Sequence, residues 1–215
     1  MTLARAARVA VLAAALGAPA AAARAAEPGL EAYERGAYPE ALMAFRGAAD
    51  QGNRLAQFNL AMMLFRGEGV TADPAQALAW LRRSADAGFP QAQYNLGLLY
   101  ERGAHVERSQ REATAWFRRA AEQGHAEAQL AVATQYFLGR GAPRDYAEAA
   151  RWYEAAAEAG DAAAQYITAS LYERGTGVPQ DLRRALDWYA RAGRQGDLAA
   201  QEKAKELARR VGAGD

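Results

Sequence analysis

PQAQYNLGLLYERGAHVERSQREATAWFRRAAEQGH, Pro90 to His125, holds one complete turn of a pattern that runs through most of the chain. Its Gln93, Gly103, Ala113, Trp116 and Gly124 each recur 36 residues earlier and 36 later. The glutamine series runs from Gln57 to Gln201 and the closing-glycine series from Gly52 to Gly196. A fixed period of this size is the mark of a solenoid, in which each unit buries its apolar face only against its neighbours. The expected architecture is therefore a solenoid, and the functional expectation moves from catalysis towards binding.

Within that stretch, Gln91 to Arg102 reads as a helix A. Ala92, Leu96, Gly97 and Tyr100 recur at steps of three and four and share one face. Gly103 ends it, because glycine accepts a left-handed backbone without steric cost. Ser109 and Glu112 then read as a capping box, as do Asp145 and Glu148, each side chain satisfying an amide of the other. Asp73 with Pro74 is the related cap-plus-proline start. Helix B follows, with Ala113, Trp116, Phe117, Ala120 and Ala121 at helical spacing.

Small residues mark the close approaches: Ala61, Gly97, Ala133 and Ala169 on helix A, and Ala85, Ala121, Ala157 and Gly193 near the end of helix B. Trp80, Trp116, Trp152 and Trp188 are expected to supply the bulk of each core rather than a ligand platform. The full units are residues 54–89, 90–125, 126–161 and 162–197. Residues 26–53 are a shortened copy, in which Tyr33, Gly36, Ala41, Phe45 and Gly52 match Tyr100, Gly103, Ala113, Phe117 and Gly124. Residues 198–215 form a capping helix and tail. That helix carries Glu202, Lys203, Lys205, Glu206, Arg209 and Arg210, which suits a terminus facing water.

The run from Ala162 through Gln165 and Tyr166, then Tyr172-Glu173-Arg174-Gly175-Thr176-Gly177-Val178-Pro179-Gln180-Asp181, then Ala185 and Trp188, resembles the Sel1-like repeat. That family is a subclass of the tetratricopeptide-type α/α solenoids, so the resemblance implies an all-α fold, a right-handed α/α superhelical solenoid. The resemblance covers roughly Tyr33 to Val211. Two positions depart from it: His105 stands at the second loop glycine, where it is expected to alter the loop's backbone, and Ser109 at the usual aspartate.

Met1 to Ala25 does not belong to the core. Arg5 and Arg8, the apolar run Val9 to Leu16 and the closing Ala23-Arg24-Ala25 form a signal peptide, with the mature chain starting at Ala26. The product is expected in the periplasm or secreted, with no membrane segment after cleavage. Removing Arg5, Arg8 and Arg24 from the 26 basic residues leaves 23 against 25 acidic, a net charge near −2. Both signs are interspersed, so nucleic acid is not an expected partner. Cysteine is absent, which removes thiol chemistry, disulfides and cysteine-based metal sites together.

No enzyme signature survives inspection. His105 and His125 lie on different connections and read as solvated loop residues. No serine lies in a nucleophile elbow, and the Gly-rich loops lack the lysine of a phosphate cradle. No metal or cofactor is implied.

The resemblance implies that helix A lines a concave face. Carried over unit by unit, that face presents Phe58, Met62, Phe65 and Arg66; Tyr94, Leu98, Glu101 and Arg102; Leu130, Thr134, Phe137 and Leu138; and Tyr166, Ser170, Glu173 and Arg174. Phe58, Tyr94, Leu130 and Tyr166 recur at the repeat step, so packing between units is the competing reading for them. Phe65 and Phe137 stand where Glu101 and Glu173 stand elsewhere, so that position need not be apolar. The leading expectation is a non-catalytic periplasmic scaffold holding a protein or peptide of the cell envelope. Two alternatives remain: recognition of peptidoglycan or other glycan, and β-lactam binding or hydrolysis, described for cysteine-rich exported members that carry a cysteine pair per unit. Nothing in the sequence specifies an oligomeric state.

Overall fold

The computed structural model describes Gly29 to Gly212. The expected leader, its cleavage site and the start at Ala26 lie outside the described residues, as do residues 213–215. The chain divides into two compact units, Met1–Arg108 and Ser109–Asp215. The first holds α1 (Leu30–Glu34), α2 (Tyr38–Asp50), α3 (Arg54–Arg66), α4 (Pro74–Asp86) and α5 (Pro90–Arg102). The second holds α6 (Gln110–Ala121), α7 (Ala126–Leu138), α8 (Tyr146–Glu158), α9 (Ala162–Arg174), α10 (Leu182–Arg194) and α11 (Leu198–Gly212). Every element among the described residues is an α-helix, and within each unit a helix packs chiefly on its neighbours in sequence. This is the all-α solenoid of helix pairs that the repeat predicts.

The glutamine series has a specific mechanical role. Gln57, Gln93, Gln129, Gln165 and Gln201 each donate from Nε2 to the carbonyl eight residues back, at 3.2, 3.0, 3.4, 3.1 and 2.8 Å. The acceptors are Ala49, Ala85, Ala121, Ala157 and Gly193, near the ends of the B helices, where backbone carbonyls lack intrahelical partners. Each bond therefore ties the end of one unit to the first turn of the next. Each carbonyl also accepts the amide of the glycine three residues on, Gly52, Gly88, Gly124, Gly160 and Gly196. The glutamine therefore takes the second lone pair, and an apolar side chain would lose the tie without orphaning the carbonyl.

Two of the four tryptophans belong to the core as expected, and two do not. Trp152 and Trp188 are 5% and 6% exposed, while Trp80 and Trp116 are only half-buried. An arginine lies over each ring, Arg83, Arg119, Arg151 and Arg191, at 4.3–4.6 Å from the centroid. The next position along is buried in all four units: Leu81, Phe117, Tyr153 and Tyr189. Adjacent helical residues point about 100° apart, so one can sit at the centre of a packed face while its neighbour sits at the rim.

The loops between helices A and B lie on the preceding B helix. A β-carbon at Gly69 would fall 2.7 Å from the carbonyl carbon of Tyr38, and at Gly141 or Gly177 it would overlap the carbonyl of Gln110 or Tyr146. His105 occupies the equivalent place and does not alter the backbone: its φ of 61° matches the 72° and 73° of Gly141 and Gly177. A left-handed backbone costs a residue with a β-carbon roughly 1–2 kcal/mol. The imidazole turns onto Phe65, ring centroids 5.3 Å apart.

The capping boxes are half formed. Ser109 Oγ accepts from the Glu112 amide at 3.2 Å, and Asp145 Oδ1 from the Glu148 amide at 3.0 Å. Neither glutamate returns the bond, and Glu148 pairs with Arg151 at 2.7 Å instead. A charged guanidinium one turn away is a stronger partner for a carboxylate than a neutral backbone amide.

Candidate functional site

In the first unit, α3, α4 and α5 enclose a cleft of about 280 Å³. Met62 and Phe65 from α3 and Leu98, Leu99 and Arg102 from α5 form its walls, Leu81 of α4 contributes from behind, and His105 closes one end. Phe65 and Leu98 are half-buried and Arg102 is exposed. Among the described residues Arg102 makes no ion pair or side-chain hydrogen bond. The cleft thus joins apolar walls to an uncompensated positive charge, and no carboxylate lines it. Two departures from the repeat, Phe65 for glutamate and His105 for glycine, meet here as a ring pair.

In the second unit a smaller cleft of about 150 Å³ lies between α7 and α9. Phe137, Tyr166, Ser170, Leu171, Arg174 and Thr176 line it, with Ile167. Phe137 is held edge-on by Tyr146 at 5.2 Å and Tyr153 at 6.3 Å, and Tyr166 meets Tyr189 at 5.2 Å. Arg174 is exposed and, like Arg102, has no ion-pair partner among the described residues.

The other expected groove residues fare unevenly. Phe58 is not a surface residue: it is 1% exposed and packs on Phe89 at 5.4 Å, so packing wins at that position. Tyr94, Glu101, Leu130 and Thr134 are half-buried outside the two clefts, and Leu138 is 40% exposed. Arg66 is committed, its Nη1 lying 3.9 Å from Glu68 and 3.4 Å from Tyr33 Oη. Tyr33 in turn donates to Glu68 at 2.8 Å, and burial with that acceptor pushes its phenol up to about 12. Glu173 is committed as well. It accepts from Tyr189 Oη at 2.8 Å and pairs with Lys203 and Arg210 of α11 at 3.7 and 3.5 Å. Nothing in the repeat pattern foretells this, because Lys203 and Arg210 lie beyond the last full unit.

A further trough of about 430 Å³ lies against α11, lined by Tyr166, Ala199, Glu202, Lys203, Lys205, Glu206 and Arg209. Its charges largely satisfy one another, Lys205 with Glu202 at 2.7 Å and Lys203 with Glu206 at 3.2 Å, so it offers little field to a ligand. His125 is not solvated: its side chain is 9% exposed, and its Nδ1 accepts the Ala128 amide at 3.3 Å as the cap of α7. No cluster of three metal-ligating side chains occurs among the described residues, and none of the described helices is long and apolar enough to cross a membrane.

A family model described as Sel1 repeat matches residues 54–89, 90–125, 126–161 and 162–197, the four full units read from the sequence. No curated protein matches the chain. Among solved structures, a Sel1 repeat protein from Oxalobacter formigenes is 35% identical over 83% of this chain and 73% of its own, with a TM-score of 0.77. A protective antigen present in uropathogenic Escherichia coli strains, displaying an SLR fold, is 38% identical with a TM-score of 0.71. The match covers 79% of this chain and 36% of that antigen. Cysteine rich protein B of Helicobacter pylori is 17% identical over 60% of this chain and 96% of its own, at a TM-score of 0.50, a likeness of fold alone.

Proposed function

The chain belongs to the Sel1 repeat family, and on that premise we propose that it is a non-catalytic scaffold of the cell envelope, exported by its leader, that holds a protein or peptide partner on its helix A faces. Sel1 repeat proteins are generally protein-interaction scaffolds. The observation that carries the reading is the cleft of the first unit, where Met62, Phe65 and Leu98 surround space beside the unpaired Arg102. Aromatic side chains and arginine are enriched at the centres of protein interfaces. Mostly apolar walls with a single exposed cation suit a peptide better than a sugar, whose hydroxyls call for several polar groups at once. Hydrolysis of a β-lactam of the cysteine-rich kind gains no support, since the chain has no cysteine.

Mild crosslinking in envelope preparations, followed by purification, compares wild type with Phe65→Ala and Arg102→Glu. Wild type recovers a defined protein, and both variants lose it. Identical recovery from all three overturns the assignment of this face. Export has its own readout: the intact mass of the envelope form corresponds to a chain starting at Ala26, and a mass retaining Met1 to Ala25 contradicts cleavage.

A further inference from the structure

We propose that the chain carries one anchoring cleft twice, in alternate repeats, and that each copy seats an acidic peptide segment of a partner protein by one apolar side chain and a neighbouring carboxylate. The proposal rests on the scaffold reading above and gives that reading a stoichiometry. Phe65, Leu99 and Arg102 of the first cleft and Phe137, Leu171 and Arg174 of the second stand at the same repeat positions, two steps apart. At the step between them the sequence has Glu101 at the phenylalanine position and Leu138 at the arginine position, so neither half of the pair is supplied there.

Charge selects the occupant. Among the three arginines that end α3, α5 and α9, Arg66 is engaged by Glu68 and Tyr33, while Arg102 and Arg174 are exposed without ion partners among the described residues. The uncommitted guanidinium groups are thus the two that line clefts, and neither cleft is lined by a carboxylate. A guanidinium presents parallel N–H donors that match a carboxylate in two-point geometry. Size is compatible with a single side chain: about 280 and 150 Å³ lie at and below the lower end of the roughly 300–1,000 Å³ of small-molecule sites. Thr176 and Ile167 stand in the second cleft where Ala104 and Asn95 stand in the first, and the second has the tighter fit. A leucine-sized anchor is common to both.

The test is a titration of the full-length, isotope-labelled protein with acetyl-Gly-Leu-Glu-Gly-amide, followed by backbone amide shifts in NMR, with acetyl-Gly-Leu-Lys-Gly-amide as control. Two separate groups of amides shift, one around Phe65 and Arg102 and one around Phe137 and Arg174. Arg102→Glu weakens the first group by at least about tenfold and spares the second, and Arg174→Glu does the reverse. Both side chains are exposed, and the spared group reports that each variant is folded. Shifts at one cleft alone overturn the duplication and leave the scaffold reading standing. Equal binding of the lysine peptide overturns the carboxylate requirement. No shift at either cleft overturns the proposal, and joined to unchanged partner recovery in the crosslinking experiment it removes the scaffold assignment of this face as well.

Discussion

Phe117 carries more of its unit's core than the neighbouring Trp116 does. Phe117 is fully buried, whereas the Trp116 ring is half-exposed under Arg119 at 4.5 Å. Phe117→Ala is expected to cost about 3–5 kcal/mol, the usual loss for a buried aromatic, and Trp116→Ala clearly less. Denaturant unfolding of the two variants decides it, and equal losses would contradict the burial. The tryptophan draws the eye in the sequence because it never changes. The next position is buried in every unit yet escapes notice, because Leu81, Phe117, Tyr153 and Tyr189 differ in kind. Thr168 shows the same effect from the other side. It stands where Leu60, Leu96 and Val132 stand, is 1% exposed, and its hydroxyl has no partner. Removing an unsatisfied buried hydroxyl while keeping the shape recovers about 1 kcal/mol. Thr168→Val is therefore expected to raise the melting midpoint by about 2–4 °C.

At the level of helices, the boundaries were legible almost to the residue, since glycine stops and aspartate or serine caps are local chemistry. What the sequence could not reveal was which partner each cap side chain prefers, as the turn of Glu148 to Arg151 illustrates. His125 is the cap with a consequence in pH. Asn53, Asp161 and Asp197 hold its place in other units, and each accepts amide hydrogens as an oxygen acceptor. His125 can do so only through a neutral Nδ1. Burial holds its pKa below the usual histidine value, against the opposing pull of Glu127 at 3.3 Å. A group whose folded pKa is depressed contributes stability that is present above the unfolded value, near 6.5, and lost as pH falls through the folded one. The melting midpoint should thus drop on going from pH 7 to pH 5. His125→Asp should flatten that slope, because an aspartate cap stays ionised across this range. An equal slope in both proteins would show that the acid sensitivity arises elsewhere.

For the chain as a whole, the four full units were readable from periodicity. The candidate clefts were only half readable: Phe65, Arg102, Phe137 and Arg174 stand out where the period breaks, while Phe58 and Glu173 were misassigned. Phe58 obeys the period, and a periodic apolar residue can serve packing and surface alike. Glu173 is claimed by a helix outside the period. That claim makes the last helix testable. In a solenoid each element is held by its neighbours alone, so a helix with little burial opens first. Only Ala200 and Leu207 of α11 are buried, and its remaining hold on the second unit includes the Gln201 bond to Gly193 and the pairs from Lys203 and Arg210 to Glu173. Ion pairs between partly exposed groups weaken as salt screens them, whereas apolar burial does not. Amides of α11 should therefore exchange with solvent faster than those of α9, and raising the salt to about 1 M, where the screening length falls to roughly 3 Å, should widen the gap. Protection of α11 equal to that of α9 and indifferent to salt would mean that packing alone, without the Glu173 cluster, holds α11 in place.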